Sequence, residues 1–128
     1  MILSEEHAQS MTSKDAVMEA VERELGIARA ALAVGNHGKT RVCARRAVGN
    51  AISWMLSRFP RTGWHTDAMS RIASLSSDPT FSQGVRDAAR RLSSRIDEHF
   101  RYDEASDPVS DALLIIQAIM TIMDAGDC

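Results

Sequence analysis

The residues best placed to do chemistry in this sequence are its arginines. Between Glu24 and Asp67 there is no acid, yet Arg29, Lys39, Arg41, Arg45, Arg46, Arg58 and Arg61 supply seven positive charges. From Tyr102 to Cys128 the balance reverses, with six acids and no Lys or Arg. Arg41 and Arg45 stand one helical turn apart, a spacing at which like charges repel by about 0.2–0.5 kcal/mol unless something intervenes. The spacing therefore predicts a partner anion. The plainer candidate is an acid from a neighbouring helix, such as Glu22, Asp103 or Glu104. The sharper one is a phosphate of a nucleotide or RNA, which a guanidinium grips through two parallel hydrogen bonds. On that second reading Arg41, Arg45 and Arg46 hold the phosphate, with Lys39 and Thr40 beside them at the helix start.

Other constellations are weaker. Ala33 to Thr40 fits a loose form of the phosphate-loop pattern, with Ala in place of the first Gly. A working phosphate loop follows a buried strand, because the strand aims the backbone N–H groups that wrap the phosphates. Here Ala28 to Val34 continues a helical pattern, so an NTPase is not expected. Gly38-Lys39-Thr40 at a helix N-terminus retains a capacity for anions, beside the simpler reading of a Gly turn followed by a Thr cap. Of the four histidines, His7 and His37 have no Cys, His or carboxylate at metal-ligand spacing. His99 follows Arg95 by one turn near a helix end, and His65 follows Arg58 by seven residues beside Trp64. Neither Cys43 nor Cys128 belongs to a C-x-x-C pair. No metal site, cofactor motif or nucleophilic triad can be argued from spacing.

These residues must be positioned by helices. With 128 residues, 45% apolar, 25% charged and a net charge of −2, the chain reads as one domain over 1–128. That balance excludes a disordered or collagen-like chain and a wholly basic nucleic-acid binder. Residues 1–11 have no secretory signature and are expected to fray, which points to a cytoplasmic protein. The longest nearly apolar stretch, Ala112 to Met123, spans 12 residues. It is short of the roughly 18–20 a bilayer demands, so it reads as a core helix with no membrane role.

Apolar residues recur at helical spacing and strand alternation is missing. The pattern predicts a first helix from Thr12 or Ser13, burying Val17, Val21, Leu25, Ala28 and Leu32, and ending at Gly35-Asn36-His37-Gly38. A second, from about Lys39 to Arg58, buries Ala44, Ala47, Val48, Ala51, Met55 and Phe59, with Pro60 and Gly63 closing it. A short third covers about Thr66 to Leu75. Asp78-Pro79 and Asp107-Pro108 read as start signals for the fourth and fifth, the carboxylate capping free N–H groups while Pro occupies a first-turn position. The fourth places Phe81, Val85, Ala88, Leu92 and Ile96 inward, with Asp87 near Arg91 and Arg101 near Asp97 and Glu98. The fifth runs to about Asp124 with a narrow polar stripe of Ser110, Gln117, Thr121 and Asp124. Leu114 falls on that stripe, which calls for a second chain to cover it unless the fifth helix is central in its own bundle. Short connections make an up-and-down four-helix bundle with a short extra helix.

Several stretches resemble the HEPN domains, small all-α modules often associated with nucleotides. They are Ala28 to Asn36, Ala44 to Leu56, Gly63 to Leu75, and Arg91 to Pro108 with its Arg101-Tyr102 element; together the match covers about residues 15 to 124. The resemblance implies a helical bundle, commonly a homodimer, often encoded beside a nucleotidyltransferase partner in toxin and antitoxin pairs. Members that cut RNA without metal carry Arg, four to six residues, then His. Arg58 and His65 have six residues between them, interrupted by Pro60 and Gly63, while Arg95 and His99 have three. On these departures the chain looks like the non-nucleolytic branch: a binding or assembly module. A ribonuclease built on one of those two pairs is the alternative, and a purely structural interaction bundle a third.

Overall fold

The computed structural model describes residues 13–94 and 107–126, which form five α-helices and no strand. They are α1 (Lys14–Ala33), α2 (His37–Arg58), α3 (Ala68–Leu75), α4 (Gln83–Ser93) and α5 (Pro108–Gly126). The all-α expectation holds.

Each helix begins where a short polar side chain can take up an unpaired first-turn N–H. Ser13 accepts from the Ala16 amide at 3.2 Å, Asn36 from Lys39 at 3.2 Å and Asp67 from Ser70 at 2.9 Å. Ser82 accepts from Val85 at 3.3 Å and Asp107 from Ser110 at 2.8 Å. Asn36 thus starts α2 two residues ahead of the expected Lys39, and Thr40 is no cap. The fourth helix also departs from expectation. Asp78-Pro79 forms a turn, in which the Asp78 side chain accepts from the Thr80 amide and its carbonyl from Phe81. The helix waits for Ser82. An Asp before Pro satisfies a turn as readily as a helix start, and Phe81 reaches the core from the turn.

Between α1 and α2 the chain reverses in three residues. Gly35 sits at φ +77°, its amide bonded to the Leu32 carbonyl at 3.0 Å while the Asn36 amide reaches back to Ala31 at 2.8 Å. This paired closure needs a left-handed residue just past the helix, which only Gly adopts without steric cost.

Packing centres on α2, which touches all four other helices. Its small residues Ala44, Ala47 and Ala51 are wholly or almost wholly buried and let neighbouring backbones come close, while Ile52, Trp54 and Met55 fill the space between. Against it lie Val21, Leu25 and Ala28 of α1, Ile72 and Leu75 of α3, and Ile115, Ile119 and Met123 of α5. Helix α4 packs mainly on α5 and α3, with Ala88 and Leu92 inward. The expected core residue Phe59 is instead partly exposed. Helix α2 ends at Arg58, and the Phe59 ring turns over Gly126, where a Cβ would stand 2.5 Å from it.

Helix α5 flanks the hub instead of forming it. Over 18 residues its mean hydropathy is 1.5, which by length and composition would allow a membrane crossing, yet only 39% of that window is buried within the protein.

Candidate functional site

Arg41 and Arg45 do converge, and what stands between them is the end of a helix. Arg41 donates from Nη2 to the Ser94 carbonyl at 2.6 Å. Arg45 donates from Nε to the Leu92 carbonyl at 2.8 Å and from Nη2 to Ser94 at 3.0 Å. The last carbonyls of α4 lack intrahelical partners and together carry roughly half a negative charge. That partial charge offsets the repulsion of two guanidinium groups one turn apart. The sequence offered an acid or a phosphate for that role; among the described residues it falls to backbone carbonyls. Glu22, one of the acids considered, lies 4.0 Å from Arg29 instead. Asp103 and Glu104 fall outside the described residues.

The remaining residues of the phosphate reading diverge. Thr40 is fully buried, and its hydroxyl donates to the Asn36 carbonyl at 2.8 Å. The Lys39 amide is taken by the Asn36 cap, and its side chain is exposed. Arg46 is exposed and lines a different surface, a cleft shared by α1, α2 and the start of α3. The structure does not bring Lys39, Thr40, Arg41, Arg45 and Arg46 onto one face.

The first of the Arg/His pairs is split between elements. Arg58 is the last residue of α2, and His65 lies in the loop before α3. The His65 carbonyl accepts from Arg71 Nε at 2.7 Å, and Arg71 Nη1 donates to Ser53 Oγ at 2.8 Å, so this loop is pinned to α2. His65 lines an open groove of about 750 Å³ with Arg61, Trp64, Ser70, Ser74 and Asp78. Within it Asp78 lies 3.7 Å from Arg61. Burial pushes the Asp78 carboxyl up, but hydrogen bonds from Thr80 and the charges of Arg61 and Arg86 bring it below the ordinary range. Arg95 and His99 lie outside the described residues. No group of three or more His, Cys, Asp or Glu side chains that could hold a metal occurs among the described residues. Cys43 is buried, and desolvation together with the Glu24 carboxylate pushes its thiol up, away from the reactive thiolate.

Sequence reasoning missed a strongly buried ionic contact. Asp111 on α5 is 3% exposed and accepts both arms of Arg91, Nη2 at 2.8 Å and Nε at 3.2 Å. Asp87, the partner expected for Arg91, binds Arg90 and Gln83, each at 2.8 Å. Both choices satisfy local spacing on α4; the pull of a buried carboxylate on the next helix decides between them. Asp111 is also the only charged residue between Pro108 and Met123. With its carboxylate turned inward, the outward stripe of α5 over that length has no charge. Ser110, Leu114, Gln117 and Thr121 are exposed there, with Leu113 and Ala118 half-buried beside them, and Leu114 shows 42% of its surface. The expected polar stripe and the exposed leucine within it are both present.

No family model, no curated protein and no solved structure matches this chain.

Proposed function

We propose that this protein is a non-catalytic assembly module that pairs with a second copy of itself through the outward face of α5. The observation that carries the reading is the uncharged stripe from Ser110 to Thr121. Solvent-facing helix stripes are ordinarily charged, whereas the centres of protein interfaces are depleted of charge and more apolar than the remaining surface. A two-fold contact would set one copy's Leu114 against the stripe of the other, the self-complementary arrangement that closed dimers use. The resemblance to HEPN domains, commonly homodimers, supports the same state. A helix of 19 residues is about 28 Å long. Its single face falls short of the roughly 800 Å² per partner of a standard interface, so a stable pairing draws on neighbouring surface as well.

Sedimentation equilibrium across a hundred-fold range of concentration tests this. Wild type is expected to dimerise, and Leu114→Asp to sediment as a monomer with an unchanged far-UV spectrum. A monomeric wild type refutes the pairing. Co-sedimentation of the wild type with lipid vesicles, lost in Leu114→Asp, would assign the same stripe to a membrane and also refute it.

One observation favours a second reading, a metal-independent ribonuclease: the His65 imidazole is exposed in a groove that also holds a guanidinium and an indole. An imidazole can move protons there while Arg61 steadies a phosphate and Trp64 stacks a base. Degradation of tRNA in the presence of chelator, abolished by His65→Ala, would establish it.

A further inference from the structure

Helix α1 carries two rows of small and apolar residues side by side. Val17, Val21, Leu25 and Ala28 form the inner row, buried in the core that α1 shares with α2. Ala16, Ala20, Arg23, Ile27, Ala30 and the C-cap Val34 form the outer one, alternately four and three residues apart. That 3.5-residue period is the spacing of a seam on which a second helix packs knobs into holes. At 1.5 Å per residue the outer row is about 27 Å long, and Arg23 is its single polar member. Two grooves run along it, one of about 430 Å³ reaching Trp54 and one of about 570 Å³ reaching Lys39, and no residue of α5 lines either. The row is left in solvent: Ile27 exposes 37% of its surface and Val34 80%.

Two residues of this seam have no role among the described residues. The first is Gly26, beside Ile27 in the larger groove. A glycine inside a helix weakens it relative to alanine. Gly49, in the middle of α2, has a reason to be there, since a Cβ would stand 3.1 Å from that of Ala68. At Gly26 a Cβ would meet nothing within 4 Å, and its φ is not positive. What a glycine permits at such a place is the close approach of a backbone from outside. The second is Arg23, which is exposed and makes no side-chain hydrogen bond or ion pair among the described residues. The same holds for Lys39, at the Val34 end of the groove. Glu22, the acid in that groove, faces Arg29 at 4.0 Å.

We propose that the outer seam of α1 docks an amphipathic helix of a partner protein, with a carboxylate at the centre of its apolar face set against Arg23. A helix laid along the seam removes Arg23 from water, and a charge desolvated in an interface requires its opposite within reach. A second acid toward one end of the partner helix meets Lys39. Ile27 and Val34 supply the apolar contacts, while Gly26, Ala20 and Ala30 let the two backbones come close. A second copy of this chain is a poor occupant. In a parallel pairing of the seam with itself Arg23 would face Arg23, and in an antiparallel one the two would stand about 6 Å apart along the axis, with no acid between them. This inference does not rest on the pairing of α5, which involves a different face.

A set of synthetic helices of about 20 residues tests it against the full chain by fluorescence anisotropy. Their heptad positions vary among Ala, Leu and Ile, and the central one is Glu, Gln or Lys. The best Glu peptide is expected to bind about ten-fold more tightly than its Lys counterpart, and Arg23→Glu to invert that preference. Gly26→Ala gives a readout that a folding defect cannot imitate: it should weaken peptide binding while raising the melting temperature of the free protein by about 3 °C. Four outcomes overturn the inference. They are no peptide bound at about 100 μM, Glu and Lys peptides bound alike, Gly26→Ala binding as wild type does, or a Leu114→Asp chain that still dimerises until Ile27→Asp is added. The last would give the seam to a second copy.

Discussion

Replacing Arg41 and Arg45 separates a structural clamp from a ligand site. The three hydrogen bonds from these side chains to Leu92 and Ser94 hold the end of α4 against α2. A hydrogen bond with one charged partner contributes about 1.5–3 kcal/mol. Arg41 is buried and Arg45 half-buried, so we take the lower end, about 2 kcal/mol for each single alanine variant. Both side chains donate to Ser94, and after one is lost the other retains that acceptor, so the double variant should lose about 3 kcal/mol, less than the sum. For a chain of this size each kcal/mol moves the melting temperature by about 3 °C, giving a fall of about 10 °C for the double variant. Thermal unfolding followed by circular dichroism, with all four members of the cycle, measures it. Arg45→Lys should behave nearly as alanine, since an ammonium cannot reproduce the forked contact. A double variant melting within about 2 °C of wild type would refute the clamp. It would return the two arginines to the phosphate reading, in which their loss abolishes binding and leaves the fold intact.

Two further predictions concern the ion pairs and caps. Asp111→Ala removes the buried carboxylate that takes both arms of Arg91 between α4 and α5. Removing one member of a buried pair costs about 3–5 kcal/mol, reduced here to about 2–3 because Arg91 is partly exposed; urea unfolding should show a lowered midpoint with an unchanged slope. Stability should also fall in acid. The Ser70 amide and hydroxyl hold Asp67 below its ordinary range, and the Gln83 side chain, with Arg90, does the same for Asp87. Asp78 is lowered as well, against its own burial. Each folded carboxyl releases its proton more readily than the unfolded one. The stabilisation is therefore complete above the unfolded value, near pH 4, and is lost as pH falls through the folded values. Urea midpoints measured from about pH 6 down to about pH 3 should fall below about pH 4, and Asp67→Ala should flatten that slope; an unchanged slope would count against the cap.

Much of the helical scaffold was legible in the residues because the signals are local. Ser13 and Asp107 sit where the apolar periodicity begins, Gly35 where it stops, and a cap or a left-handed turn acts within four residues of its own position. The stripes of Val17, Val21, Leu25 and Ala28, and of Ile115, Ile119 and Met123, show which face of a helix goes inward. Asp78-Pro79 misled for the same local reason, since a turn and a helix start use the same two residues.

What sequence could not reach are contacts between helices. The demand of Arg41 and Arg45 for an anion is readable from their spacing alone, because repulsion between like charges one turn apart depends only on the helix. The identity of that anion is not, for the Leu92 and Ser94 carbonyls lie about fifty residues away, and every residue has a carbonyl. The choice of Arg91 between Asp87 and Asp111 likewise waits on α5 docking against α4. Composition and periodicity determined that this chain is all-α and which faces are apolar. Only the tertiary structure decided that α2 is the hub, that the arginine pair closes a helix end, and that the seam of α1 through Ile27 and Val34 stays outward. Charge satisfaction in a folded protein depends on which chain ends and side chains are brought within a few ångströms, and that distance is set by the packing of the whole core.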